Sequence, residues 1–187
     1  MSRRKDQRVA VFIDTANMYH SAKHLFGARL NFKNVLDEAV FDRHLIRAIA
    51  YVITTKTGEE KPFLDALEAI GIEIKSKELQ EFAGGMKKGD WDVGLTVDAI
   101  RIGMGVDAVV LVSGDGDFVT LVEYLQNQGK QVEVMAFRES ASSKLVEKAD
   151  AFFDLSAESD RFVITSTGKK SADKVVILRK SWAREEV

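Results

Sequence analysis

The chain has 187 residues, 45% of them hydrophobic, no cysteine, and a formal net charge of -2 at pH 7. This size and composition suit one globular domain with a modest extension and exclude the disordered and fibrous classes. The lack of cysteine excludes disulfides, thiolate zinc sites and cysteine nucleophiles, and the small net charge argues against a protein that coats nucleic acid through bulk charge.

The first eight residues form a charged, basic leader, MSRRKDQR. Neither this leader nor the short apolar run that follows it resembles a signal peptide or a membrane span. We therefore expect a cytoplasmic protein that contacts no membrane. Residues 9–13, VAVFI, have the pattern of a strand buried on both faces, and this strand ends directly at Asp14.

Strand-like and helix-like segments alternate from residue 9 to residue 155. The strand-like segments are apolar runs or alternate apolar and charged residues, at 9–13, 48–54, 72–77, 109–112, 132–137 and 152–155. The helix-like segments between them lie at 15–26, 35–41, 62–70, 92–104, 118–128 and 140–149, and the glycine-rich residues 78–90 indicate a loop. This alternation predicts right-handed crossovers and a three-layer α/β/α, Rossmann-like domain with a mostly parallel sheet.

The pattern changes after residue 155. Residues 161–165 and 174–179 have the composition of two further strands around a polar, glycine-containing stretch. We therefore treat residues 156–187 as a C-terminal appendage that forms a β-hairpin.

Carboxylates follow two of the buried strands. Asp14 follows the first, and Asp115 and Asp117 follow the strand at 109–112, at the end of a sheet where ligands bind in open α/β folds. Asp98 lies in the preceding helix. Because adjacent carboxylates repel each other without a cation, these four acids predict a centre for Mg²⁺ or Mn²⁺, where phosphodiester hydrolysis needs no protein nucleophile.

Three segments occur in order along the chain: FIDTAN at 12–17, KKGDWDVGLTVD at 87–98 and SGDGDF at 113–118. Together they resemble the NYN domain family of the PIN-like ribonuclease superfamily, and the resemblance covers about residues 9–155. It implies a metal-dependent nuclease that acts on RNA, expected to be single-stranded. The catalytic and metal-binding residues that it implies are Asp14, Asp98, Asp115 and Asp117.

Further residues are candidates for contacts with the substrate. Asn17 matches the asparagine of the family and is expected either to contact a phosphate or to hold Asp14. The other candidates are polar or basic residues near the strand ends and in the glycine-rich loop: Ser113, Lys87, Lys88 and Arg138.

Asp92 matches the first aspartate of the family's K-G-x-D segment, although this chain reads KKGDWD and has an extra residue. Six positions correspond to about 600° of helical rotation, so Asp92 and Asp98 do not share one helix face. We therefore expect Asp92 to cap the helix or to support the metal ligands without binding the ion itself.

Two other functions remain open at this point. One is a catalytically weak RNA- or protein-binding regulator on the same fold, and the presence of all four acids argues against it. The other is a phosphatase-like phosphohydrolase with Asp14 as nucleophile, which is disfavoured because Arg138, and not a lysine, follows the next strand. DNA as the substrate and a homodimeric state also stay open.

Overall fold

A computed structural model describes residues 3–55, 58–81, 87–88 and 90–165, with the backbone alone at 80–81 and 87–88. The strands are β1 (Arg8–Asp14), β2 (Arg29–Leu30), β3 (His44–Thr54), β4 (Glu73–Glu78), β5 (Gln80–Glu81), β6 (Lys87–Lys88), β7 (Ala108–Val112), β8 (Gln131–Ala136), β9 (Ala151–Asp154) and β10 (Val163–Ile164). The helices are α1 (Thr15–Phe26), α2 (Phe32–Val40), α3 (Lys61–Ala69), α4 (Asp92–Gly103), α5 (Val119–Asn127), α6 (Ser143–Lys148) and α7 (Ser159–Phe162).

In the described part of the chain, six strands form one parallel sheet in the order β4-β3-β1-β7-β8-β9. The strand order reverses between β1 and β7, because successive strands run outwards from β1 on one side and from β7 on the other. In a sheet of this kind the crevice at the carboxyl ends of the two central strands is the usual ligand site. The topology therefore places the expected ligand site at the carboxyl ends of β1 and β7.

Alternate residues of β1 enter two separate cores. Val9, Val11 and Ile13 pack with the buried faces of α1 and α2. Ala10 and Phe12 pack on the opposite face with residues of α4, α5 and α6. The period-two pattern of a fully buried strand thus produces the two helical layers, and the predicted three-layer α/β/α fold is confirmed.

A buried charge network lies towards the amino ends of the strands. Arg43 and Glu133 form a two-pronged ion pair of 2.7 and 3.1 Å, and their side chains are 0% and 2% exposed. Arg3, from the predicted leader, bonds both Glu133 and Glu38 at 2.9 Å. Arg161 also binds Glu38, at 2.9 Å, so this network joins segments from both ends of the described chain.

The segments beyond the central pattern differ in detail from the sequence-based expectation. α6 begins at Ser143, because Ala141 and the backbone of Ser142 contact the loop after β7. The predicted loop at 78–90 includes the antiparallel pair β5 and β6. Of the predicted strand at 161–165, Val163–Ile164 is extended and pairs with β2, and the second predicted hairpin strand, 174–179, lies outside the described residues.

Candidate metal centre

The ends of β1 and β7 are joined by side-chain hydrogen bonds. The hydroxyl of Ser113 donates to Asp14 Oδ2 at 3.1 Å, and the backbone N–H of Gly114 donates to Asn17 Oδ1 at 3.0 Å. Both donors follow β7, and both acceptors belong to the end of β1 or the first turn of α1. Two of the strand-end segments that the sequence singled out therefore meet at the point where the strand order reverses.

Asp14 is half-buried and caps the amino end of α1. Its Oδ1 accepts a hydrogen bond of 3.0 Å from the backbone N–H of Asn17. Burial raises the pKa of Asp14 and the charge of Asp115 adds to the rise, so the pKa lies above its ordinary value despite the hydrogen bonds from Asn17 and Ser113. Since the ionised form is disfavoured by these surroundings, a cation nearby would stabilise it.

The loop after β7 makes a tight turn that presents two carboxylates. Ser113 Oγ accepts from the N–H of Asp115 at 3.2 Å, and Asp115 Oδ1 accepts from the N–H of Asp117 at 2.9 Å. A Cβ on Gly116 would lie 2.9 Å from Ser142 Oγ and 3.1 Å from its Cβ. A larger residue at this position would therefore displace either the turn or the chain before α6.

Asp92, the first residue of α4, faces the same loop. One carboxylate oxygen from each of Asp92, Asp115 and Asp117 lies within 4.8 Å of the other two. Burial raises the pKa of Asp92, and the charges of Asp14, Asp115, Asp90 and Asp117 raise it further. The structure thus brings together three of the predicted acids, Asp14, Asp115 and Asp117, and adds Asp92 to them.

The donors at this edge of the sheet suit a hard divalent cation. An octahedral Mg²⁺ with metal–oxygen distances of about 2.1 Å has its ligand oxygens about 3 to 4.2 Å apart. The three oxygens within 4.8 Å of one another need only a small contraction to meet this geometry. Carboxylate oxygens, with no sulfur or imidazole beside them in the group, are the ligands that Mg²⁺ and Mn²⁺ prefer, so the residues fit such an ion.

Asp98 lies elsewhere, against the sheet beneath α4. It is 5% exposed, and its Oδ2 accepts from Tyr51 Oη at 2.9 Å and from Lys75 Nζ at 2.5 Å. Arg101 donates to Oδ1 at 3.2 Å. Burial acts to raise the pKa of Asp98, but these hydrogen bonds and positive charges outweigh it, and the pKa lies below its ordinary value. Asp98 is therefore already neutralised by cations of the chain itself.

Features of the sequence relate to the different positions of Asp92 and Asp98. Asp92 occupies the family position in the K-G-x-D segment, and the rotation between Asp92 and Asp98 already implies that they face different surroundings. Lys75, the partner of Asp98, lies in a strand of alternating apolar and charged residues. Its charge points towards α4 only because β4 lies beside β3, which local pattern does not specify.

The predicted basic residues have different positions. Arg138 follows β8, with an exposed side chain whose guanidinium lies 4.4 Å from the ring centre of Phe152 and 3.7 Å from Asp154. The side chains of Lys87 and Lys88 lie outside the described part of the chain.

Comparison with known proteins now identifies the fold family. The family model of the NYN domain matches residues 8–156. This range includes β1, β7 and the acidic group formed by Asp92, Asp115 and Asp117. The chain belongs to the NYN domain family. This assignment confirms the family-level expectation from the sequence, and the NYN domain implies membership of the PIN-like nuclease superfamily.

Two relatives extend this NYN assignment. The chain is 26% identical over 159 residues to the Low amplitude and bright protein LabA of Synechococcus elongatus, covering 81% of this chain and 85% of LabA. It is similar to the crystal structure of VPA0982, a protein of unknown function from Vibrio parahaemolyticus, with 32% identity and a TM-score of 0.78. That likeness covers 88% of this chain and 100% of the Vibrio chain.

None of the helices in the described residues combines the length and the apolar composition that crossing a membrane requires.

Proposed function

We propose that this NYN protein is a metal-dependent ribonuclease that hydrolyses phosphodiester bonds of single-stranded RNA. The observation that carries the proposal is the approach of Asp92, Asp115 and Asp117 to within 4.8 Å at the carboxyl edge of the sheet. Asp14 adds a fourth negative charge from the end of β1. The family match supports the nuclease class.

In this proposal the four carboxylates hold Mg²⁺ or Mn²⁺. A bound divalent cation supplies Lewis-acid stabilisation of the charge that develops on the phosphodiester oxygens and favours deprotonation of a water. Asp98 is not among the proposed ligands, because Tyr51, Lys75 and Arg101 already satisfy its oxygens.

The surrounding polar residues hold the geometry of the centre. Ser113 fixes Asp14 relative to Asp115, because its hydroxyl bonds both segments. Asn17 fixes the loop at Gly114 in the same way. Because Oδ1 of Asn17 makes this contact, we assign the residue a positioning role, and a phosphate contact would use its Nδ2 donor. Arg138, exposed after β8, remains the proposed basic contact for an RNA phosphate.

The test is cleavage of a labelled single-stranded RNA in the presence of Mn²⁺, Mg²⁺ or EDTA. Asp115→Asn removes one charge from the acidic group with little change of shape. Asp65→Asn is the matched control, because Asp65 is an exposed residue of α3 that pairs with Lys61. We expect cleavage with either metal for the wild type and the control, and its loss with EDTA or with Asp115→Asn.

Other outcomes would overturn the assignment. Equal activity of wild type and Asp115→Asn would exclude the acidic group as the catalytic centre. Binding of RNA without cleavage under any metal condition would favour the regulator, and preferential cleavage of single-stranded DNA would change the substrate class. A cytoplasmic location and a homodimeric state stay predictions that this assay does not address.

A further inference from the structure

We propose that Trp91 is a positioning residue that holds Asp92 in the acidic centre, and that Gly94 is required at its position because it leaves room for the indole of Trp91. This inference rests on the proposed metal site. It concerns how the first residue of α4 is kept at that site, which is a property of residues outside the acidic group.

The indole of Trp91 is attached to β3. Its Nε1 donates a hydrogen bond of 2.9 Å to the backbone oxygen of Val52. Its ring packs against Tyr51, with ring centroids 5.4 Å apart and planes inclined at 60°. A partly buried hydrogen bond and an aromatic contact on the same side chain fix both its depth and its orientation.

β4 holds the same segment from a second direction. Lys77 Nζ lies 5.2 Å from the centre of the Trp91 ring, within the range of a cation–π contact. The same ammonium donates to the backbone oxygen of Asp90 at 2.8 Å. Residues 90 and 91 are therefore both attached to the sheet directly before Asp92.

Gly94 provides the space that this arrangement needs. A Cβ at Gly94 would lie 2.6 Å from Trp91 Cε3 and 2.8 Å from Cζ3, closer than carbon atoms approach without repulsion. The indole would have to leave its place between Tyr51 and Lys77 or α4 would have to move. Since Gly94 lies within the first turn of α4, either shift would displace Asp92.

Such an anchor matters because the start of α4 has no side-chain cap and carries Asp92 among like charges. Trp91 is the N-cap residue of α4, and its side chain makes no capping hydrogen bond; its backbone oxygen accepts from the N–H of Leu95 at 2.7 Å. Asp92 stands next to like charges from Asp14, Asp115 and Asp117. In the absence of a cation these charges repel it, and the attached indole opposes its movement away from the loop after β7.

The first measurement is where the indole lies in each variant. The chain has two tryptophans, so Trp182→Phe gives a background in which fluorescence reports on Trp91 alone. We expect Gly94→Ala to shift the emission to the red and to increase quenching by acrylamide. The matched control is Gly105→Ala, where a new Cβ would lie 3.5 Å from the backbone oxygen of Ile102, an ordinary van der Waals contact.

The second measurement is the affinity for Mn²⁺ by titration calorimetry, without any substrate. Substitution of residues that orient metal ligands typically lowers the metal affinity by about 10- to 100-fold. We therefore expect Gly94→Ala to weaken Mn²⁺ binding by about tenfold and Gly105→Ala to leave it unchanged. Trp91→Phe, which keeps a ring and removes only the Nε1 donor, should cause a smaller loss. This variant also serves if Gly94→Ala does not fold.

A double-mutant cycle separates positioning from a general effect on α4. If Gly94 acts through the indole, then Gly94→Ala should weaken Mn²⁺ binding little further in a Trp91→Ala protein. Additive losses, or a displaced indole with unchanged Mn²⁺ affinity, would overturn the inference and leave the proposed function standing. Failure of the wild type to bind Mn²⁺ would overturn the proposed function and this inference together.

Discussion

The hydroxyl of Tyr51 donates a 2.9 Å hydrogen bond to Asp98, and the backbone of Tyr51 lies opposite Asp14 in the register of β1 and β3. One residue therefore touches an aspartate beneath α4 while its strand supports another aspartate at the edge of the sheet. Asp98 is paired with Lys75 beneath α4, whereas Asp14 lies at the carboxyl edge of the sheet near the like charge of Asp115.

Asp98→Asn should lower the free energy of unfolding and leave the affinity for Mn²⁺ nearly unchanged. The change leaves Lys75, which is partly buried, without its carboxylate partner, and breaking such a pair costs up to about 3–5 kcal/mol, less where water reaches the charge. Urea unfolding measures the loss, and Mn²⁺ titration of the folded variant should give an affinity within a few-fold of the wild type. A loss of Mn²⁺ binding as large as that of Asp92→Asn would return Asp98 to the set of ligands.

Gly116→Ala should displace the acidic turn, because its Cβ would collide with the side chain of Ser142. Overpacking of this kind costs about 1–3 kcal/mol, and we expect weaker Mn²⁺ binding as well. Ser142→Gly removes both colliding atoms, so the double variant should recover stability and affinity relative to Gly116→Ala. The prediction fails if Ser142→Gly gives no recovery, since the effect would then come from the backbone of the turn itself.

The ion pair between Arg43 and Glu133 should contribute to folding without affecting the metal centre. Glu133→Gln leaves a fully buried guanidinium without a charged partner, which should lower the free energy of unfolding by about 3–5 kcal/mol. The comparison variant is Glu73→Gln, whose pair with Arg47 is far more exposed and should cost about 1 kcal/mol or less. Equal losses in urea unfolding would contradict this account, and both variants should retain Mn²⁺ binding.

Asp107 should make stability depend on pH in the acid range. Hydrogen bonds from the side chain and backbone of Arg8 lower the pKa of Asp107 to about 2. Because this native pKa lies below that of the unfolded chain, the stabilisation is complete above the ordinary aspartate value and is lost as the pH falls towards 2. Urea unfolding between pH 5 and pH 2.5 should show a smaller difference between wild type and Asp107→Asn at the acid end. A constant difference would contradict the assignment.

The sequence by itself determined the alternation of strands and helices, because fully apolar runs and helical spacing are local patterns. It also determined that Asp14, Asp115 and Asp117 lie at the carboxyl ends of strands. Parallel strands have their carboxyl ends at the same edge of a sheet. Because β1 and β7 are neighbours, the end of β1 lies beside the loop after β7.

Only the tertiary structure shows that Asp92 and Asp98 have different surroundings. The two lie on one helix, and local sequence contains no information about which sheet residues each will meet. Asp98 accepts hydrogen bonds from Lys75 of β4 and Tyr51 of β3, whereas Asp92 faces Asp115 and Asp117 in the loop after β7. The partner of a buried charge is set by packing between distant segments, as it is for Arg43 and Glu133, 90 residues apart. Such contacts form only when the whole sheet is assembled.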